Sequence, residues 1–252
     1  MIKLGLVGKD ISYSKSKELH EIIGRLFGIN LDYQIYDIDT DTIGKCFNNL
    51  DGFNVTKPYK EYIYGLGYQM TTVAKNTKAI NTVFKKNGQI WLDNTDYQGF
   101  KYLIKYYKID LKDKKIAILG TGGAAKTVYR VVSNHSKYVK FVSRNKQDQL
   151  TINYKDVKNE EFDIFINATP VGTYPNNQSP LEEKTVRNKI VIDLVYNPLE
   201  TKMMSYAKES YNGLVMLVVQ ALYAQKRFSD IKDIKINKTT VDSIIKELLI
   251  NV

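Results

Sequence analysis

The sequence predicts an α/β protein built from two units, and three observations carry that reading. Strand-like runs alternate with helical ones along most of the chain, the pattern of α/β architecture. The cycle restarts near residue 114, where a short buried strand feeds a glycine turn and a helix. The length, 252 residues, allows one large or two modest domains and a substantial core without disulfides or metal.

Taken in order, MIKLGLVG is a first strand and residues Ser16 to Phe27 carry a helical pattern. DYQIYDI and GFNVT follow as strands. AINTVFKKNGQIWLDNTD gives two more around Asn87-Gly88, a pair suited to a tight hairpin turn. Residues 97–113 read as a connecting helix. In the second cycle KKIAIL is a buried strand, GTGGAAKTVYRVVSNHS a glycine turn opening a helix, and KYVKFVSRN another strand. DIFINAT and KIVIDLVY complete it, separated by a stretch rich in Asn, Ser and Pro. The tail is helical: GLVMLVVQALYAQKRF, then TTVDSIIKELLINV with apolar residues at 241, 244, 245, 248 and 249.

Composition removes several function classes. The single cysteine, Cys46, forms no disulfide framework or cysteine metal cage within the chain, and His20 and His135 lie too far apart in sequence to propose a histidine metal centre. The first residues reach a glycine and a charge too soon for a signal peptide, and the longest apolar run, LVMLVV, is far below spanning length. The expectation is a cytoplasmic protein, monomer or homodimer, off the membrane. The net charge of +10 comes from scattered lysines with a handful of arginines, a pattern that gives a soluble surface or favours anionic small ligands more often than it marks a nucleic-acid binder.

Gly120-Thr121-Gly122-Gly123-Ala124-Ala125 fits G-x-G-x-x-A between a strand and a helix. The first glycine makes the turn, the second admits a pyrophosphate, and the helix N-terminus offers aligned N–H groups. NAD binders and methyltransferases tend to place an acid at the end of the next strand. Here Ser143-Arg144-Asn145-Lys146 stands there, with two cations for a 2′-phosphate, so the expected cofactor is NADP.

The first unit collects uncharged polar groups at strand ends: Ser14 and Ser16, Asn54 and Thr56, Asn81, and Asn94-Thr95 before Asp96. Hydroxyls and carboxamides hold a polyol without imposing charge. Each has a plainer use as a turn former or cap; Ser16 is placed to cap the helix behind it. Among them sit two lysines, Lys57 and Lys60, in FNVTKPYKE.

With these motifs in order, the chain resembles the shikimate dehydrogenase family over almost its whole length. The resemblance rests on Gly8 through Ser16, Asn54-Val55-Thr56-Lys57-Pro58-Tyr59-Lys60, Ala79 to Thr82, Asp93 to Asp96, Gly120 to Ala124 with Arg144, Asn167-Ala168-Thr169, and Gly213 with Met216, Leu217 and Gln220. It implies reversible hydride transfer between NADPH and the C3 carbon of 3-dehydroshikimate, with Lys60 and Asp96 as the catalytic pair and Lys57 at a variable site. Ser14, Ser16, Thr56, Asn81, Gln220 and Tyr196 would hold the substrate. Gly120, Thr121, Gly122, Gly123 and Ala124 would hold the cofactor, with Ser143, Arg144, Lys146, Thr169 and Gly213. The implied fold is an N-terminal α/β substrate-binding domain, residues 1–96 completed by C-terminal helices in 214–252, and a Rossmann-type NADP-binding domain at 97–213. The chain departs from the family pattern at Asp10, Tyr13, Lys17, Lys78, Leu92, Ser143, Asn145 and Asp148. A quinate/shikimate enzyme, or a paralogue acting on another cyclic hydroxy acid, is the alternative within the class. Outside it stand a methyltransferase and a non-catalytic or nucleic-acid-binding protein on the same fold.

The chemistry of the residues agrees. Hydride addition to a ketone leaves an alkoxide, which needs a proton donor beside the oxygen. A lysine ammonium fixed by a carboxylate supplies one, and Asn94 and Thr95 would orient Asp96.

Overall fold

The computed structural model describes residues 1–145, 148–229, 231 and 233–250. The chain divides into two compact units, Met1–Gly99 with Val218–Val252, and Phe100–Leu217.

The first unit opens with β1 (Ile2–Gly8), α1 (Ser16–Phe27), β2 (Leu31–Asp37), α2 (Ile43–Asn49) and β3 (Gly52–Val55). It continues through α3 (Lys60–Tyr64), β4 (Gln69–Met70), α4 (Thr72–Thr77), β5 (Thr82–Lys86), β6 (Gln89–Asp93) and α5 (Asp96–Tyr106). Among the described residues its strands form one sheet in the order β2-β1-β3-β5-β6-β4. β1 pairs in parallel with β2 and β3, while β5 runs antiparallel to β3 and β6. The hairpin between β5 and β6 turns on Asn87 and Gly88, both at positive φ (51° and 73°), as a two-residue turn matching strand twist requires. α1 buries Leu19, Ile22 and Ile23 on one face and stops at Gly28, whose left-handed backbone returns its N–H to the Gly24 carbonyl.

The second unit contains β7 (Ile116–Leu119), α6 (Gly123–Val132), β8 (Val139–Ser143), β9 (Thr151–Asn153), β10 (Ile164–Asn167), α7 (Glu183–Val186), β11 (Ile190–Asp193), α8 (Lys202–Ser205) and β12 (Glu209–Asn212). Its sheet runs β12-β11-β10-β7-β8-β9, and among the described residues every pairing is parallel. β7 and β10 are buried at each position, the continuous apolar run expected of strands covered on both faces. This is the doubly wound Rossmann order, which reverses between β7 and β10 and offers its ligand crevice at the carboxyl ends of the strands. The chain then forms α9 (Leu214–Phe228) and α10 (Lys238–Ile250); the unit boundaries fall inside α5 and α9.

The structure differs from the sequence reading mainly in short pieces. α2, α3, α4, α7, α8, β4, β9 and β12 are each seven residues or fewer, too short for periodicity to declare them. The connecting helix expected over 97–113 ends at Tyr106. Ile109 and Leu111 beyond it are buried in a turn with Lys108 and Asp113 at positive φ, so apolar spacing alone prolonged the prediction. No helix among the described residues is long and apolar enough to cross a membrane. Among the same residues, no group of three or more His, Cys, Asp or Glu is arranged to hold a metal ion.

Gly213 sits where β12 gives way to α9, and a Cβ there would lie 2.1 Å from the Leu194 carbonyl oxygen and 2.7 Å from its carbon. Its own N–H donates to the Val195 carbonyl, so neither backbone has room to retreat. Packing alone therefore demands glycine at this position. Gly213→Ala is expected to lower stability by about 1–3 kcal/mol, read as a drop in thermal unfolding midpoint; an unchanged midpoint would mean the two backbones are not in contact.

Candidate active site

Lys60 opens α3 and Asp96 opens α5, and their side chains meet: Lys60 Nζ donates to Asp96 Oδ2 at 2.5 Å, with the two side chains 19% and 10% exposed. Backbone bonds fix the lysine's approach, since the Ile80 N–H donates to the Lys60 carbonyl. The aspartate's other oxygen accepts from Asn81 Nδ2 at 2.9 Å. That amide also faces Thr95 Oγ1 at 3.0 Å and Gln220 Oε1 at 3.3 Å, while Asn81 Oδ1 accepts from the Thr95 N–H at 2.7 Å and from Thr82 Oγ1 at 2.8 Å. Asn94 Oδ1 accepts from the Asp96 N–H, and its amide donates to Thr77 Oγ1 and the Ala79 carbonyl. A charged pair removed from water is held by groups that are themselves neutral and hydrogen-bonded, which is the condition for tolerating its burial.

A second layer backs the first. Asn54 donates to the Asn81 carbonyl and to Thr82, and its own oxygen accepts from the Tyr33 hydroxyl at 2.9 Å. Tyr33 stacks on His20, which meets the Gln225 side chain of α9. Asp93 is buried just before the turn that carries Asp96, and accepts from Thr71 Oγ1, the Asn94 N–H and Arg227 Nε. Tyr33, His20, Gln225 and the Arg227–Asp93 pair were not legible as site residues. Each looks like an ordinary strand or helix position until the fold brings distant segments together.

Of the other predicted residues in this unit, Ser14 Oγ donates to Ser16 Oγ at 3.1 Å at the start of α1. Ser16 is the first helical residue and not the cap, a position Lys15 takes without a side-chain bond; Ser14 Oγ, two residues back, accepts the Ser16 N–H. Thr56 gives its N–H to Val7 and lies with its methyl group against Gly8. Lys57 is exposed, with its ammonium 5.4 Å from the centre of the Tyr13 ring. Of the two lysines in FNVTKPYKE, it is Lys60 that is tied into the polar cluster.

In the second unit a cavity of about 670 Å³ is lined by Gly120, Thr121, Gly122, Ser143, Arg144 and Thr169, all expected from sequence. Tyr154, Val171, Gln178, Ser179 and Pro180 complete it and were not anticipated. Gly120 has φ +100°, a conformation that disfavours any side chain, and a Cβ there would press on Thr169 Cγ2 at 3.1 Å. Gly123 and Ala124 begin α6 with Gly122 at its N-cap, so the helix presents its free N–H groups beside the turn. Burial raises the pKa of Tyr154 and the Arg144 charge opposes it, which sets these two side chains near each other. Among the described residues no carboxylate lines the cavity. Backbone donors at a glycine turn, a guanidinium at the end of β8 and no acid fit a phosphorylated dinucleotide. Lys146, expected beside Arg144, lies outside the described residues. Tyr196 follows β11 and is half-buried; Gly213 does not line the cavity.

Comparison with known proteins meets this geometry. Residues 6–83 match the shikimate dehydrogenase substrate-binding domain family. The shikimate dehydrogenase (NADP(+)) of Clostridium perfringens strain SM101 is 33% identical, with 97% of each chain covered. Among solved structures, shikimate dehydrogenase 1 from Peptoclostridium difficile superposes with a TM-score of 0.91 at 33% identity, covering 100% of this chain and 99% of that one. A shikimate dehydrogenase solved in complex with NADP+ gives a TM-score of 0.79 at 26% identity, covering 100% and 95%.

His20 supplies a pH test of the backing layer. It is 1% exposed, and burial lowers its pKa to about 3, opposed only in part by hydrogen bonding with Asn54. In the unfolded chain the imidazole titrates near 6.5. Between those values the unfolded chain carries the extra proton, so this group removes stability as pH falls, by up to about 1.4 kcal/mol per pH unit. A His20→Phe variant keeps a flat ring against Tyr33 and has no such proton. Whatever its offset at neutral pH, it is expected to lose less stability than wild type between about pH 6.5 and pH 4, measured by urea unfolding at each pH. Parallel losses in the two proteins would rule out a buried neutral imidazole.

Proposed function

This chain belongs to the shikimate dehydrogenase family, and from that premise we propose that it catalyses the reversible NADPH-dependent reduction of 3-dehydroshikimate to shikimate, with Lys60 and Asp96 managing the proton. The single observation that supports this assignment of roles is the buried Lys60–Asp96 pair, held at 2.5 Å inside a cluster of neutral hydrogen-bonding groups.

Bound NADPH supplies the hydride. The chain's own residues do the rest. As the carbonyl carbon accepts the hydride and its oxygen gains charge, the Lys60 ammonium stabilises that oxygen and gives it a proton, leaving the alcohol and a neutral amine. In the opposite direction the neutral amine takes the hydroxyl proton while the carbon gives up hydride. Asp96 holds the lysine ammonium by a hydrogen bond, and Asn81 holds Asp96 in turn. Ser14 and Ser16, at the N-terminal end of α1, would receive the substrate carboxylate, where hydroxyls and the helix dipole both favour an anion. Thr56, Asn81, Gln220 and Tyr196 would take ring hydroxyls and Arg144 the 2′-phosphate.

Two variants test separate halves of the reading. Lys60→Ala is expected to reduce kcat by about 10²–10⁴-fold with the KM for NADP little changed, followed by NADPH absorbance with shikimate as substrate. Arg144→Ala is expected to raise the KM for NADP by about tenfold while leaving turnover with NAD nearly unaltered. Full activity in Lys60→Ala would remove the lysine from the chemistry. Faster turnover of quinate than of shikimate by wild type would reassign the substrate and leave the pair in place.

A further inference from the structure

Asp193, at the carboxyl end of β11, is fully buried, as are Asn167 at the end of β10 and Thr201 at the N-cap of α8. Its carboxylate is a junction. Oδ1 accepts from Asn167 Nδ2 at 2.9 Å and from the Val195 N–H at 3.0 Å, and Oδ2 accepts from Thr201 Oγ1 at 2.7 Å. Each partner organises a different turn. Asn167 Oδ1 accepts from the N–H and hydroxyl of Thr169, and its amide also donates to the Val171 carbonyl, so it shapes the stretch that lines the cavity. Val195 precedes Tyr196, and its carbonyl accepts from the Gly213 N–H. One side chain thus anchors the cavity turn after β10 and the tyrosine-bearing turn after β11.

We propose that Asp193 is a positioning residue for ligand binding, holding the turns 167–171 and 193–197 in a single geometry through its ionised carboxylate. The inference rests on reading the cavity as the NADP site. Asparagine would keep the shape, its oxygen accepting from Asn167 and Val195, but only as a neutral and weaker acceptor, and its amide would leave the buried Thr201 hydroxyl without an acceptor. The charged form is instead kept where burial raises its pKa to about 6, against the opposing effects of Thr201, Val195 and Asn167. The groups facing it are uncharged from every side: Asn167 on β10, Thr201 beside α8, the Val195 N–H, and Asn212 opposite it on β12. Its ionisation is therefore governed by burial and these donors. Protonation removes the charge that strengthens the two Oδ1 bonds, from Asn167 and from the Val195 N–H, and turns Oδ2 from acceptor of the Thr201 hydroxyl into a donor.

The test is the dissociation constant for NADP+ as a function of pH, measured by calorimetry. NADP+ binding to wild type is expected to weaken by up to about tenfold as pH falls through about 6. The cofactor's 2′-phosphate titrates in the same region, so the informative quantity is the difference from Asp193→Asn. That variant is expected to bind more weakly than wild type at neutral pH and to converge with it in acid. Thr201→Ser keeps the donor and should reproduce the wild-type profile, whereas Thr201→Val should move the wild-type step to higher pH. A constant ratio between wild type and Asp193→Asn at all pH values overturns the proposal, as does an unmoved step in Thr201→Val. Wild type with no affinity for NADP+ at any pH would sink the assignment of the cavity itself, a separate outcome.

Discussion

The buried ion pair of Lys60 and Asp96 is the constraint around which the first unit is arranged. Two opposite charges withdrawn from water lose several kcal/mol of solvation each, and their attraction repays this only with good geometry and every remaining polar atom engaged. The surrounding residues meet both demands. Lys60 and Asp96 stand at the first positions of two different helices, so neither depends on a flexible loop for its direction. Asn81 presents its amide to Asp96 and its oxygen to the Thr95 N–H, so a single side chain satisfies the aspartate and the backbone that carries it. Replacing any of these neutral groups by an apolar one would leave a charge or a backbone donor unpartnered in the interior, which costs more than the bond it removed.

The second unit solves the opposite problem. Its cavity is lined by backbone at the carboxyl ends of a parallel sheet. The carboxyl ends of β7, β8, β10 and β11 deliver Gly120, Ser143, Asn167 and Asp193 to one edge, while α6 points its unpaired N–H groups at the same edge. Arg144 at the rim contributes the one full positive charge among the described lining residues. The division is chemical: one unit concentrates side-chain hydrogen-bonding groups around Asp96, the other main-chain donors at a glycine turn.

Long elements and strand-end motifs were legible in the sequence because they follow from spacing. α1 occupies the predicted Ser16–Phe27, the Asn87-Gly88 turn closes the predicted hairpin, and the glycine turn stands between a strand and a helix. The polar strand ends could be collected by residue type, yet their roles could not be assigned by it. Asn54, Asn81 and Asn94 look alike in sequence. In the fold Asn81 faces Asp96, Asn94 fixes the backbone of Asp96, and Asn54 supports Asn81 from behind. Contacts that join segments more than a hundred residues apart, such as Arg227 with Asp93 and Gln225 with His20, leave no local trace at all. Nor do the short strands and single-turn helices, whose existence depends on neighbours supplied by tertiary structure.

The positions at which this chain departs from its family's pattern are informative about what the site tolerates. Lys78 stands where glycine is usual, and its backbone adopts the left-handed conformation (φ 51°, ψ 31°) that closes α4, with its N–H on the Ala74 carbonyl. A side chain in that conformation costs about 1–2 kcal/mol, so the turn leading to Asn81 is preserved against a local penalty and the strain is borne by the surrounding bonds. Asp10 likewise takes φ 53°, and its N–H is received by Asp37, which also accepts from Ile11. Leu92 is fully buried in β6 with its carbonyl accepting from the Thr71 N–H, so the extra side chain is absorbed by the core and the strand keeps its register. Tyr13 is the exception: it is exposed, next to Ser14, with the Lys57 ammonium over its ring. Lys78, Asp10 and Leu92 are thus accommodated within the backbone or core, while Tyr13 stands on the surface beside Ser14.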